Sequence, residues 1–356
     1  MNNQHSFYPK NNIWVLLSAF GLLLLGIILG IITSYLLGIN HSKSYSVLRG
    51  GGYEYINPLI DFDNIDFIKT KEQKALEENL INFIDNEKEN NPKVRDISAY
   101  YKDLNSGAWI GINTEEKFAM ASLGKVPLMI SHYKIAERNP QHLEKSYVYD
   151  FVPEYHYGLL EDNRTEGYSL EQGSSYTIDE YINQLIIYSD NTVIPTLRSD
   201  AAFQAEEYTV FSSLGLTNPR DTSDENFLTT KDYSTFFRIL YNATYLNKEM
   251  SSKALELLSK VSYDDGLAKG IPEDIVLANK FGERTLETPE EGFVEQIHDC
   301  GIIYHPTRPY ILCVMTRGSD QSELQKVISN ISSIVYKTVD STTMNDQEIK
   351  ELLLGK

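Results

Sequence analysis

The stretch Phe118-Ala-Met-Ala-Ser-Leu-Gly-Lys-Val-Pro-Leu128 decides how this chain is interpreted. It places Ser122 three residues before Lys125, where a run from Val126 to Ala136 predicts a helix. Because residues i and i+3 share one helical face, the hydroxyl and the amine can meet one turn apart. A hydroxyl becomes a good nucleophile when an adjacent base takes its proton. A lysine is such a base where burial or a neighbouring cation disfavours its charged form.

Two further motifs follow in chain order. Ser189-Asp-Asn191 ends a helix predicted over 178–188, so its hydroxyl and amide can face a cleft. Lys280-Phe-Gly282 ends a predicted strand, where a cation attracts an anionic substrate and a glycine allows close backbone approach. Each motif alone is more often a helix cap or a solvated turn. The three together, in this order and on these elements, indicate one site.

This set resembles the class A β-lactamase and penicillin-binding serine hydrolase superfamily. The stretch 118–128 is similar to the nucleophile helix of that family. His298-Asp-Cys-Gly-Ile302, followed by Tyr310-Ile-Leu-Cys-Val-Met-Thr316, is similar to its last two sheet strands. The resemblance covers about Asp66 to Thr338. It implies an α/β fold with an antiparallel five-stranded sheet flanked by helices and an inserted all-α subdomain.

The resemblance also implies a role for each motif residue. Ser122 is the nucleophile that becomes acylated, and Lys125 accepts or relays its proton. Ser189 passes a proton to the leaving nitrogen, while Asn191 holds the amide side of the substrate. Lys280 attracts the substrate carboxylate. The implied substrates are β-lactams or peptidoglycan-derived amides, with no cofactor.

The implied oxyanion hole consists of the backbone N–H groups of Ser122 and Glu283, beside the Gly282 turn. A metal site is not predicted, because the seven histidines form no pair at the i, i+4 spacing of helical ligands. The formal net charge of −18 argues against a nucleic-acid partner, since phosphate binding requires a cationic face. We expect the catalytic domain to be monomeric.

Two departures from the family pattern leave alternatives open. Phe281 stands where the family has a Thr or Ser whose hydroxyl binds the carboxylate, so either the carboxylate is held differently or the substrate differs. Glu225-Asn-Phe-Leu-Thr229 partly matches the family's Glu-x-x-Leu-Asn, whose Glu activates water. Glu225 is either that base or a solvated turn acid, and the second interpretation is favoured. Asp221 is a weaker candidate.

Three functions therefore remain open. The first is a serine hydrolase that turns over its acyl-enzyme, as in β-lactam breakdown and antibiotic resistance. The second is a DD-peptidase-like, penicillin-binding acyl transferase that releases the acyl group slowly. The third is a non-catalytic module that binds wall fragments. The intact motifs count against the third, and the unclear base counts against fast turnover.

The N-terminal region predicts one transmembrane helix. Residues 13–39 carry no charge, and 27 helical residues reach about 40 Å, more than the ~30 Å hydrocarbon core. The stretch is also longer than the apolar part of a signal peptide, about 7–15 residues. Charges on its two sides nearly balance, so the resemblance alone places the domain on the extracytoplasmic side of the cell membrane.

The remaining boundaries follow from composition and periodicity. We predict an N-terminal tail over 1–12, a linker over 40–65, the hydrolase domain over 66–338 and a polar C-terminal tail over 339–356. A helix and two strands precede the helical middle, and three strands and a helix follow it, which is an α+β order. Cys300 and Cys313 fall on facing strands. Buried free thiols are the expected outcome, and a cross-strand disulfide is the alternative.

Overall fold

The computed structural model describes residues 20–26, 28–29, 47–49, 51–62, 70–150, 170–288 and 292–354. The chain divides into two compact units, Met1–Ser46 and Val47–Lys356. In the first unit the described residues are helical. None of the helices among the described residues combines the length and apolar character that crossing a bilayer requires. The predicted tail 1–12 and most of the predicted anchor 13–39 lie outside the described residues.

The second unit contains both strands and helices. Its strands are β1 (Val47–Arg49), β2 (Leu59–Phe62), β3 (Val94–Asp103), β4 (Trp109–Ile112), β5 (Phe118–Ala119), β6 (Ser146–Val148), β7 (Ser175–Thr177), β8 (Asn226–Leu228), β9 (Leu277–Thr288), β10 (Gly292–Ile303) and β11 (Tyr310–Gly318). Its helices are α1 (Lys71–Asn90), α2 (Lys125–Arg138), α3 (Ile178–Ile187), α4 (Ile194–Ser199), α5 (Ala201–Ser213), α6 (Thr230–Tyr241), α7 (Lys248–Leu258) and α8 (Gln321–Leu354). Short 3₁₀ turns cover Ala121–Gly124, Pro140–His142 and Ala268–Gly270.

The central sheet has the order β4-β3-β11-β10-β9, and every neighbouring pair is antiparallel. One face packs against apolar side chains of α1 and α8, and the other packs against the helical block that follows β5. β11 lies in the middle and is buried along its whole length. The predicted five-stranded antiparallel sheet flanked by helices is confirmed.

Local capping explains where two helices of the middle block, α3 and α6, begin. At α3 the Thr177 hydroxyl accepts from the Glu180 N–H, and the Glu180 carboxylate accepts from the Thr177 N–H. At α6 the Thr229 hydroxyl accepts from the Asp232 N–H. Both caps satisfy donors that the first helical turn leaves unpaired. These caps fix where two helices inside the block begin.

The segment predicted as a linker contains a β1–β2 pair that belongs to the second unit. Arg49 donates from Nη1 to the Asn57 carbonyl at 2.7 Å and to Asn242 Oδ1 at 2.8 Å. Its Nη2 donates to the Leu104 carbonyl at 2.6 Å, and Ile56 is buried. Sequence reasoning missed this packing because two of the three partners of Arg49, Leu104 and Asn242, are distant along the chain.

The helix α8 continues past the predicted boundary at residue 338 and ends at Leu354. One expectation differs from the structure. Cys300 and Cys313 lie directly opposite each other on β10 and β11 and form a disulfide, with both residues fully buried. The structure thus holds the cross-strand alternative rather than the free thiols that were favoured.

Candidate active site

Ser122 lies in the 3₁₀ turn Ala121–Gly124, which runs directly into α2. Ala121 has φ +48°, a left-handed conformation that is unfavourable for a residue with a Cβ. From α6, the Tyr233 hydroxyl donates to the Leu123 carbonyl at 3.0 Å. The surrounding structure therefore holds the Ser122 turn in a strained geometry.

The strand before this turn is tied to the sheet. The Ala119 N–H donates to Gln296 Oε1 at 3.0 Å, and Gln296 Nε2 donates to Asn226 Oδ1 at 2.9 Å. The Arg317 guanidinium lies over the Phe118 ring, 4.7 Å from its centroid. β5 and β8, which carry Ala119 and Asn226, are thus held by one glutamine from β10. This linkage fixes the approach of the chain to Ser122.

Three buried side chains from different motifs meet beneath the turn. Lys125 Nζ donates to Ser189 Oγ at 2.8 Å and also to the Ser189 carbonyl. Lys280 Nζ donates to the same Oγ at 3.0 Å and to the Phe281 carbonyl at 3.1 Å. A hydroxyl has two acceptor lone pairs and one proton. With both lone pairs engaged by lysines, the Ser189 proton is available to a third group.

The chain turns sharply at the second motif. Ser189 is fully buried with φ +55°. The Asp190 carboxylate then accepts from the Thr192 N–H at 2.8 Å and from the Thr192 hydroxyl at 2.6 Å. Aspartate commonly stabilises such turns by bonding to the backbone two residues on. The turn places Asn191 on the wall of a cavity that Ser122 also lines.

Gly282 brings β9 against the nucleophile turn. A Cβ at this position would lie 3.2 Å from the Leu123 nitrogen and 3.3 Å from the Ala121 Cβ. These separations are tighter than ordinary van der Waals contact. The glycine thus permits the close approach that puts Glu283 beside Ser122 in the cavity wall.

The cavity has a volume of about 560 Å³. The predicted site residues on its wall are Ser122, Lys125, Asn191, Glu225 and Glu283. Ser189 and Lys280 are buried behind Lys125, and Gly282 packs on the turn. The weaker base candidate, Asp221, is not one of the described residues that line the cavity.

Phe281 does not replace the hydroxyl that the family pattern has at this position. Its side chain is 3% exposed and stacks on Tyr263, with ring centroids 4.1 Å apart. Opposite it on β10 lies Asp299, which accepts from the Leu267 N–H at 2.9 Å and from Asn279 Nδ2 at 2.8 Å. Burial raises the pKa of Asp299 to about 6. Sequence reasoning assigned no role to Asp299, although it lies in the stretch 298–302 that resembles a family strand.

Glu225 and Arg284 form an ion pair at the cavity wall. Glu225 is 56% exposed and Arg284 is 48% exposed, with Nη2 and Oε2 3.2 Å apart. Both side chains are thus about half exposed to solvent. No sequence motif pointed to Arg284, because the predicted strand ended before it.

A metal centre was not predicted. Within the described ranges, no group of three His, Cys, Asp or Glu side chains is arranged to hold a metal ion.

The five-stranded sheet, the helical block and the Ser122–Lys125 turn define a class A β-lactamase-like fold. The model of the beta-lactamase enzyme family matches residues 76–339, and the chain belongs to that family. No curated protein sequence matches the chain.

Several solved structures share this fold. PBP-A is 18% identical, with a TM-score of 0.60 over 75% of this chain and 96% of its own. The beta-lactamase from Sphaerobacter thermophilus is 20% identical, with a TM-score of 0.59 over 72% of this chain and 95% of its own. The class A beta-lactamase from Mycobacterium abscessus is 19% identical, with a TM-score of 0.58 over 74% and 99%.

Proposed function

We propose that this chain is a serine hydrolase that is acylated at Ser122 by β-lactams or peptidoglycan-like amides. The observation that carries the proposal is the convergence of Lys125 and Lys280 on Ser189 Oγ behind the cavity that Ser122 lines. A PBP-A variant with the same fold was solved as an acyl-enzyme complex with penicillin G. That chemistry suits the arrangement of the present site.

In the proposed reaction, Ser122 Oγ attacks the amide carbonyl and Lys125 Nζ takes its proton. Lys125 and Lys280 share Ser189 Oγ as an acceptor, and a nearby cation disfavours the charged form of a lysine. The developing oxyanion accepts hydrogen bonds from the backbone N–H groups of Ser122 and Glu283. Ser189 then donates its proton to the leaving nitrogen, and Lys125 resupplies it.

Release of the acyl group is the slower half of the proposed cycle. A group that activates water accelerates hydrolysis by about 10²–10⁴-fold. Glu225, the residue with a partial motif match, is exposed and engaged by Arg284. This observation favours a second candidate function, a DD-peptidase-like acyl transferase. β-Lactams would acylate such an enzyme, and the acyl group would be released slowly.

The proposal includes a location. Residues 13–39 anchor the protein as a single-pass helix in the cell membrane, with the hydrolase domain on the extracytoplasmic side where peptidoglycan lies. The support is the uncharged stretch of 27 residues. Full-length protein that leaves the membrane fraction on carbonate washing would refute this part.

The test is a mass-spectrometric time course of the full-length protein with penicillin G. We expect an adduct on a peptide that contains Ser122, absent from Ser122→Ala, that forms faster than it clears. Rapid clearance would support turnover as a β-lactamase. If the wild-type protein forms no adduct and does not hydrolyse penicillin, the proposal is refuted. The non-catalytic module is then the remaining function.

A further inference from the structure

We propose that a groove lined by the helices α2, α3 and α7 binds a neutral oligosaccharide. This groove, the helical groove, consists of two cavities of about 760 and 350 Å³. Asn183 and Lys260 line both cavities, so the two adjoin. Among the described residues, none lines both the helical groove and the cavity that contains Ser122. The site is therefore separate from the one assigned to acylation, and the inference does not depend on the proposed function.

Two buried polar side chains lie on the wall of the helical groove, Tyr133 at the larger cavity and Gln184 at the smaller. Tyr133 is fully buried, and its hydroxyl has no hydrogen-bond partner within the described part of the chain. Gln184 is 3% exposed, and its Oε1 likewise has no partner within those ranges. Nearly all buried polar groups of native proteins are hydrogen-bonded. The groove thus offers a hydroxyl and an amide oxygen that a ligand can satisfy.

The Tyr133 hydroxyl keeps its proton at neutral pH and can donate it to a ligand. Burial raises the pKa of Tyr133 well above its usual value, and the nearby carboxylates of Asp179 and Glu256 raise it further. Both carboxylates line the larger cavity together with Tyr133. A ligand in this cavity therefore meets a protonated phenol, which suits a hydroxyl or carbonyl oxygen.

The charges on the groove wall balance, which favours an uncharged ligand. Three lysines and three carboxylates line the larger cavity. Lys253 pairs with Asp179 at 2.8 Å, and Lys260 pairs with Glu256 at 2.8 Å. An anionic ligand would meet as many carboxylates as ammonium groups. The same groups can still donate to and accept from the hydroxyls of a neutral ligand.

The wall suits a sugar better than a peptide. Extended peptides bind at exposed strand edges, and helical peptides bind through an apolar face. The groove is lined mainly by helices, and Leu257 is the only aliphatic side chain among the described residues of the larger cavity. Tyr53 instead brings a ring that is 44% exposed, with Lys248 Nζ 5.4 Å from its centroid. An apolar ring beside hydrogen-bonding groups matches the C–H face and the hydroxyls of a sugar.

The experiment titrates the full-length protein with the β-1,4-linked tetramer of N-acetylglucosamine and measures the heat of binding. The detergent carries no sugar headgroup. The acetamide groups of this probe supply both acceptors and donors. Tyr133→Phe should weaken binding about 2–10-fold, as expected for one lost neutral hydrogen bond. Tyr53→Ala should weaken binding about tenfold, because the ring face is lost.

Two tyrosines that do not line the helical groove provide matched controls. Tyr310 is fully buried, and its hydroxyl also has no hydrogen-bond partner among the residues that the structure describes. Tyr310→Phe therefore repeats the chemical change of Tyr133→Phe at another place. Tyr208 is 48% exposed, so Tyr208→Ala repeats the loss of an exposed ring. Both controls should bind the tetramer as the wild type does.

Urea unfolding of the same variants completes the test. Tyr133→Phe should be at least as stable as the wild type, because no described group loses a hydrogen bond. A clear loss of stability would show that the hydroxyl is already satisfied inside the protein and would overturn the proposal. Wild-type affinity in either Tyr133→Phe or Tyr53→Ala would overturn it as well. So would a wild-type protein that does not bind the tetramer at millimolar concentration.

Discussion

Ser189 combines a hydrogen-bonding role of its side chain with an unusual backbone conformation. Its Oγ accepts from both lysines, and its backbone has φ +55°. We expect Ser189→Ala to slow acylation by penicillin G about 10²–10⁴-fold, because the proton relay is lost. Ser189→Gly should lose the same activity yet be more stable to urea than the alanine variant by about 1 kcal/mol, because glycine adopts a left-handed backbone without the Cβ penalty. Wild-type acylation in either variant would exclude the relay.

The motifs related residues to one another only where these lie a few positions apart in the sequence. Ser122 and Lys125 are one helical turn apart, so their spacing in the sequence already related them. Two lysines share Ser189 because the helical block packs against β9, and local spacing in the sequence does not show that contact. The pairing of Glu225 with Arg284 depended on the same contact between distant segments, and no spacing rule could reveal it.

At the scale of elements, the contact between β9 and the nucleophile turn depends on one glycine. Gly282→Ala would add a Cβ 3.1–3.3 Å from three atoms of Ala121 and Leu123. We expect the strand and the turn to move apart by a few tenths of an ångström, and acylation to fall about 10²-fold through misalignment of the oxyanion hole. Unfolding in urea, measured in parallel, should change much less. A variant that acylates normally would show that the approach of β9 is not required.

The β1–β2 segment should contribute to the stability of the domain. Arg49→Ala removes hydrogen bonds to two backbone carbonyls and to Asn242. Because hydrogen bonds from a charged donor are strong, we expect the free energy of unfolding to fall by about 1.5–3 kcal/mol. Arg95→Ala, at an exposed pair, serves as the control. Equal stability of the two variants would show that the segment adds nothing.

Elements were predictable where their ends carry local markers. Thr177 and Thr229 marked two helix starts by their caps. The outer half of β9 was missed, because Glu283, Arg284 and Thr285 have the polar character of a loop. Only its pairing with β10, with Leu286 opposite Val294, keeps this part extended. The register of an edge strand depends on its neighbour and not on its own composition.

For the whole molecule, a buried histidine makes stability depend on pH. Burial lowers the pKa of His298 to about 3, whereas the unfolded chain takes up this proton near pH 6.5. The contribution of His298 to the free energy of unfolding is therefore largest above about pH 6.5. It decreases by about 1.4 kcal/mol per pH unit as the pH falls toward 3.

We expect His298→Gln to reduce this slope by about 1.4 kcal/mol per pH unit between pH 6 and 4. Urea unfolding at pH 4, 5, 6 and 7 measures it. Asp299 acts in the opposite direction, because its raised pKa makes its stabilising effect strongest below pH 4 and removes it as the pH rises through 6. Both proteins retain Asp299, so the difference between them reports His298. An unchanged slope would contradict the assignment.

The position of β11 at the centre of the sheet sets the order in which the domain can be made. Ala99 of β3 pairs with Val314 of β11, 215 residues later in the chain. While the ribosome is still producing the helical block, the β3–β4 hairpin has no partner for its inner edge, and such an edge invites pairing with other chains. Pairings between distant strands also form slowly. The sheet can close only after β11 has emerged, so the domain folds after its synthesis and depends until then on whatever shields the unpaired hairpin.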